Sequence, residues 1–151
     1  MLDDEIYTIY RDLLATLPEG TAVLNRRSST DAGGEDIELI PTNLNSARIY
    51  VHPMADWIYV SIGRNTSTEL FTGGIREKED EALTRLKRIS RAVIEGNFSE
   101  EVWTLGGKIV KSVGTLEING KVQRLRFTTF FNLMRRKQRK QYVYSPYVAT
   151  Q

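Results

Sequence analysis

Apolar side chains recur every three or four residues in two segments of the chain, which is the spacing of one face of an α-helix. The first segment covers residues 2–17 and ends at Pro18 and Gly20. The second covers residues 77–95 and ends at Gly96. Its first turns are acidic and its second half is basic, as the helix dipole favours. The pattern predicts two amphipathic helices.

Between the two helices, apolar and polar side chains alternate, which is the period of a half-buried strand. The predicted strands are residues 21–25, 37–40, 47–51, 57–62 and, with a weaker pattern, 69–72. Only a short connector separates the third of these strands from the fourth, so we expect those two to pair antiparallel.

The last third of the chain contains two dipeptides typical of tight hairpin turns, at residues 106–107 and 119–120. Such turns produce a three-stranded meander, and strand parity then places seven apolar side chains on one face. These are Trp103, Leu105, Val110, Leu116, Ile118, Leu125 and Phe127. Gly114 lies in mid-strand, where a glycine indicates a bulge.

The order of elements is therefore a helix, three to five strands, a second helix and the meander, which is typical of an α+β protein. We expect an antiparallel sheet with the two main helices packed on one face. A chain of 151 residues has the size of one domain. We place a single α+β domain at residues 1–134 and a basic, tyrosine-containing C-terminal extension at residues 135–151.

Charge is distributed very unevenly along the chain. Residues 1–107 contain 11 Lys/Arg against 18 Asp/Glu, a net charge of −7. Residues 108–151 contain 10 Lys/Arg against Glu117 alone, a net charge of +9. This asymmetry favours one of two outcomes. Either the two parts neutralise each other within the molecule, or the basic end attracts an oppositely charged partner.

The second outcome gives the functional hypothesis. We expect a small non-catalytic protein-binding module, of inhibitor, chaperone or adaptor type, that engages an acidic protein partner through its basic C-terminal surface. The candidate partner-binding residues are Lys121, Arg124, Arg126, Arg135, Arg136, Lys137, Arg139, Lys140, Tyr142 and Tyr144.

Other partners fit the same residues. Cations interleaved with aromatic side chains suit phosphate neutralisation and base stacking, so a nucleic-acid-binding protein is the first alternative. An anionic membrane surface is a further option. The C-terminal segment also has the alternation of an extended strand. Such a strand either joins the edge of its own domain or adds to the sheet of a second copy and forms a homodimer.

The second alternative is an enzyme of unrecognised type centred on His52, the only histidine, with Asp56 orienting its ring. No further nucleophile or metal-ligand cluster accompanies this pair, so the sequence assigns no catalytic residue, no metal ligand and no cofactor. The chain has no cysteine, which excludes disulfides and thiolate metal sites. The acidic amino terminus and the lack of a long apolar run predict a soluble, cytoplasmic protein. No motif identifies a family.

Overall fold

The computed structural model describes residues 2–28, 34–128 and 137–148. Nearly half of these residues lie in strands and about a quarter in helices. The helices are α1 (Leu2–Ala15) and α2 (Arg76–Ile94). The strands are β1 (Ala22–Ser28), β2 (Glu35–Pro41), β3 (Ile49–Pro53), β4 (Trp57–Ile62), β5 (Thr66–Phe71), β6 (Phe98–Leu105), β7 (Lys108–Ile118), β8 (Lys121–Thr128) and β9 (Gln138–Val143).

These strands form two antiparallel sheets. The first sheet contains β1 to β5 in sequence order, and the second has the order β8-β7-β6-β9. The predicted fold class, an α+β protein with both helices on one face of an antiparallel sheet, is therefore wrong. The protein is mostly β, and α2 packs mainly against β5 of the first sheet and β7 of the second. The 19 residues of α2 span about 28 Å and connect β5 of the first sheet to β6 of the second.

One continuous core of buried side chains joins the helices and both sheets. The apolar face of α1 packs against the inner face of the first sheet and against α2. At the contact between the helices, the Tyr10 hydroxyl and Ser90 Oγ are hydrogen-bonded at 2.8 Å. Both side chains are fully buried. Burial raises the pKa of the Tyr10 hydroxyl, which keeps this buried group neutral.

Both predicted turns of the meander are confirmed, but not every side chain lies on the predicted face. Leu105 pairs with Lys108, and β7 and β8 also pair in the expected register. A register shift between Trp103 and Thr104, however, reverses the parity of β6 upstream of it. Trp103 therefore lies on the outer face, opposite Lys111, whereas Val102 is buried in its place.

Gly114 does not mark the bulge. It lies in regular pairing with both neighbouring strands. A Cβ added at this position would overlap the Thr66 side chain of the first sheet. The glycine therefore allows β7 to approach β5 closely. Besides a bulge, such a close approach is a common reason for a glycine within a strand.

The segment after β9 is attached to the body of the protein. Tyr147 is 4% exposed and donates a hydrogen bond from its hydroxyl to the Ala47 carbonyl at 2.7 Å. Its backbone N–H donates to the Ile94 carbonyl at 2.9 Å, and Ser145 N–H donates to the Asn45 carbonyl at 2.8 Å. The predicted domain boundary at residue 134 lies outside the described residues, so the division into 1–134 and 135–151 stays a prediction.

Candidate partner-binding surface

The structure divides the predicted binding residues among four places. Arg124, Arg126 and Arg139 project from the outer face of the second sheet, because each pairs with an outward-facing residue of a neighbouring strand. Of the other predicted residues, Lys121 lies beside α2. Lys137, Lys140 and Tyr142 line a groove at β9. Tyr144 is hydrogen-bonded within the molecule. The predicted residues Arg135 and Arg136 lie outside the described part of the chain.

The outer face of the second sheet forms the first part of the candidate surface, which we call the basic face. Its cations are Lys111, Arg124, Arg126 and Arg139, and its acids are Glu101 and Glu117. The strands that carry these cations include both edges of the sheet. Since neighbouring strands lie about 4.8 Å apart, β8 and β9 are separated by about 14 Å. Positive charge is thus spread over the width of the sheet.

Trp103 lies among these cations near the middle of the basic face. Lys111 Nζ lies 4.5 Å from the centroid of its ring, and the guanidinium carbon of Arg139 lies 5.8 Å from it. Both distances are within the range of a cation–π contact. Arg139 also forms a two-pronged ion pair with Glu101, in which Nε–Oε2 and Nη2–Oε1 are both 2.9 Å. Sequence parity alone put Trp103 on the apolar face, so this contact was not predicted.

A groove of about 680 Å³ beside β9 forms the second part of the surface, which we call the basic groove. It is lined by Val102, Thr104, Lys137, Gln138, Arg139, Lys140 and Tyr142. None of the described residues that line it is a carboxylate. Arg64, from the turn between β4 and β5, stacks 4.6 Å from the centroid of the Tyr142 ring, and Lys140 Nζ lies 5.2 Å from the same centroid. Arg64 joins the site from a segment that the sequence did not connect with it.

Most of the described cations after residue 107 form no ion pair with another described residue. The structure describes eight of the ten cations of this segment: Lys108, Lys111, Lys121, Arg124, Arg126, Lys137, Arg139 and Lys140. Among the described residues, Arg139 alone of these forms an ion pair. The other ion pairs between described residues join cations and acids within residues 1–107. The acidic part of the chain therefore pairs mainly with its own arginines and lysines.

Lys121 belongs to a different surface from Arg124 and Arg126. It lies in a groove of about 810 Å³ between α2 and the turn joining β7 and β8. This groove has mixed charge: Arg85 and Arg88 line it together with Glu77, Asp80 and Glu81. Lys121 and Arg124 are three positions apart along β8, so the two side chains point to opposite faces of the strand.

Tyr144 is engaged in a buried polar network that the sequence did not reveal. Its hydroxyl donates a short hydrogen bond to Glu100 Oε1, and the pKa of the hydroxyl is raised by burial and by this carboxylate. Glu100 is 1% exposed. It also accepts hydrogen bonds from the Arg64 backbone N–H at 2.7 Å, from the Asn65 backbone N–H at 3.1 Å and from Thr66 Oγ1 at 2.8 Å.

This network connects the two sheets. Glu100 belongs to β6 of the second sheet, and three of its donors belong to the β4–β5 turn and to β5 of the first. A buried carboxylate is tolerated only where its oxygens are satisfied in this way. The network holds β9 through Tyr144 and positions Arg64 beside Tyr142, so it supports the basic groove without contacting a partner itself.

The His52 ring contacts the carboxylate of Asp36. The sequence predicted Asp56 as its partner. The ring Nδ1 and Asp36 Oδ1 form a short contact across β2 and β3, and the Tyr50 hydroxyl donates to Asp36 Oδ2 at 2.6 Å. The pKa of the Tyr50 hydroxyl is raised to about 12, mainly by partial burial and to a smaller extent by the hydrogen bond to Asp36. Within residues 2–28, 34–128 and 137–148, no three His, Asp or Glu side chains are grouped as metal ligands. The enzyme hypothesis stays a prediction.

No protein-family model matches this sequence, and no curated protein or solved structure is significantly similar to it. Neither α1 nor α2, the two helices of the described segments, combines the length and the apolar character needed to cross a bilayer.

Proposed function

We propose that this protein is a non-catalytic protein-binding module that engages an acidic protein partner through the basic face and the basic groove. One observation carries the proposal: among the described residues, seven of the eight cations after residue 107 have no ion pair. Charges left without a partner within the molecule attract and orient an oppositely charged surface. A cytoplasmic location stays a prediction from the sequence.

Nucleic acid is less well supported than protein as the partner. Base stacking needs a free aromatic ring face. Lys111 and Arg139 lie near the Trp103 ring, and Arg64 and Lys140 lie near the Tyr142 ring. A base would have to displace these cations, whereas a carboxylate would bind to them where they are. The surface therefore fits side-chain carboxylates better than stacked bases.

Charge reversal on the basic face tests the proposal. The double variant Arg124→Glu/Arg126→Glu is expected to weaken binding of a 20-residue polyglutamate peptide by about tenfold or more. Each exposed ion pair contributes about 0.2–1 kcal/mol, and reversal replaces two attractions by two repulsions. Fluorescence anisotropy of the labelled peptide from 50 to 200 mM salt measures the change. Circular dichroism shows whether the variant is folded.

The matched control is Lys87→Glu/Arg91→Glu on α2. These residues are exposed, have no ion pair with a described residue, and change the net charge by the same amount. We expect this variant to lose much less affinity than the sheet variant. Equal losses from both variants would contradict a specific surface. Tighter, more steeply salt-dependent binding of a 20-nucleotide oligothymidine than of the peptide would favour the nucleic-acid alternative instead.

A further inference from the structure

We infer that an acidic segment of the partner binds in an extended conformation, as an additional strand along β9. This inference rests on the proposed function and specifies how the basic groove would be used. It depends on three features of the described structure: the free edge of β9, the charge of that edge, and the groove beside it.

The first feature is the position of β9 at the edge of the second sheet. Its residues pair with β6 on one side, and no described strand pairs with the other side. Five of its six residues are exposed, and only Tyr142 is half-buried. In an antiparallel pair, alternate residues direct their N–H and C=O groups away from the partner strand. These groups form a row to which a further strand can bind.

The second feature is the charge of this edge, which selects the occupant. Arg139 and Lys140 lie side by side in β9, and Lys137 directly precedes it. Pairing with β9 of a second copy would bring these cations close to their counterparts, and like charges opposite each other destabilise a strand pair. An acidic strand would instead gain ion pairs with Lys137 and Lys140, whereas Arg139 is already paired with Glu101. The homodimer through the C-terminal strand is therefore disfavoured against an acidic partner.

The third feature is the groove, which fixes the spacing of the acidic residues. Lys140 and Tyr142 of β9 point to the face that also carries Val102, and all three line the groove. Side chains of an added strand alternate between the two faces. Every second residue of the bound segment would thus lie on the Lys140 side. The remaining residues would lie beside Gln141, Val143 and Arg139, whose charge is already paired with Glu101. The six residues of β9 offer a length of about 20 Å.

Backbone methylation of a synthetic peptide tests this mode with the intact protein. The probe is a nine-residue peptide that alternates glutamate with threonine or valine. Two derivatives are N-methylated, one on the glutamates and the other on the residues between them. An added strand directs only one of these two sets of N–H groups toward β9. We expect one derivative to lose about tenfold or more in affinity and the other to lose less than threefold.

The outcomes separate this inference from the proposed function. If the unmethylated peptide binds and both derivatives bind as well as it does, or lose equally, strand addition is wrong while acidic binding by the surface stands. If the unmethylated peptide and polyglutamate both fail to bind, the proposed function itself fails. Dimerisation of the free protein that excludes the alternating peptide would overturn the inference in favour of a second copy.

A protein variant provides an independent measurement. Lys140→Glu is expected to weaken the alternating peptide by about fivefold or more, because the reversed charge faces the glutamate side of the bound strand. Lys87→Glu on α2 carries the same change in net charge and should alter affinity by less than twofold. Equal effects of the two variants would contradict a binding position along β9.

Discussion

Replacing Glu100 with alanine is expected to lower the free energy of unfolding by about 3–5 kcal/mol. The substitution removes the acceptor of four hydrogen bonds at once, from two backbone N–H groups and from the hydroxyls of Thr66 and Tyr144. Buried donors left without an acceptor cost about 1–3 kcal/mol each, and these costs are not additive. Urea denaturation followed by circular dichroism measures the loss.

The neighbouring residue supplies the control. Glu101 lies on the opposite face of β6, is partly exposed and pairs with Arg139. Glu101→Ala should cost about 1 kcal/mol or less, as for other exposed ion pairs. A third variant, Glu100→Gln, keeps the shape of the side chain but replaces one acceptor by a donor. Its loss of unfolding free energy should lie between those of Glu100→Ala and Glu101→Ala. A loss below 1 kcal/mol for Glu100→Ala would show that the network does not join the sheets.

Replacing Tyr147 with alanine is expected to cost about 3–5 kcal/mol, the range for removal of a buried aromatic ring. The ring lies in the common core, and its hydroxyl donates to the Ala47 carbonyl, about a hundred residues away in sequence. Tyr147→Phe keeps the ring and removes only this hydrogen bond, so it should cost about 1 kcal/mol. Thermal or urea unfolding of both variants gives the comparison.

Tyr142 is the matched residue on the same segment. It is half-buried beside Arg64 and Lys140 and lies outside the core. Tyr142→Ala should therefore lower the unfolding free energy much less than Tyr147→Ala. Equal stability of the two variants would show that Tyr147 does not anchor the C-terminal segment. It would also contradict the support that we assign to β9 and the basic groove.

Local features of this fold could be predicted from the sequence because they depend on neighbouring residues. The two helices follow from apolar periodicity, and the hairpin turns at residues 106–107 and 119–120 follow from their glycines. Which strands share a sheet depends on contacts between distant segments. No periodicity indicates that β9 pairs with β6, or that Gly114 is needed because Thr66 approaches it.

The candidate site shows the same limit. Charge counting located the basic end, and alternation along β8 placed Arg124 and Arg126 on one face. One register shift moved Trp103 to that face, which alternation alone cannot show. Arg64 reaches Tyr142 only because Glu100 holds the β4–β5 turn against the second sheet. A glutamate in a predicted strand gives no sign in sequence that it is buried.

The two tryptophans of this chain allow a direct test of the binding surface, because they lie on different sheets. Trp103 is on the basic face, and Trp57 is on β4 of the first sheet, 40% exposed. The measurement is the ¹H–¹⁵N spectrum of the two indole groups during titration with polyglutamate, with Trp57→Phe to assign the signals. We predict that the Trp103 signal shifts with saturation and that the Trp57 signal does not. Saturable binding that shifts Trp57 alone, or neither indole, would contradict a partner site on the second sheet.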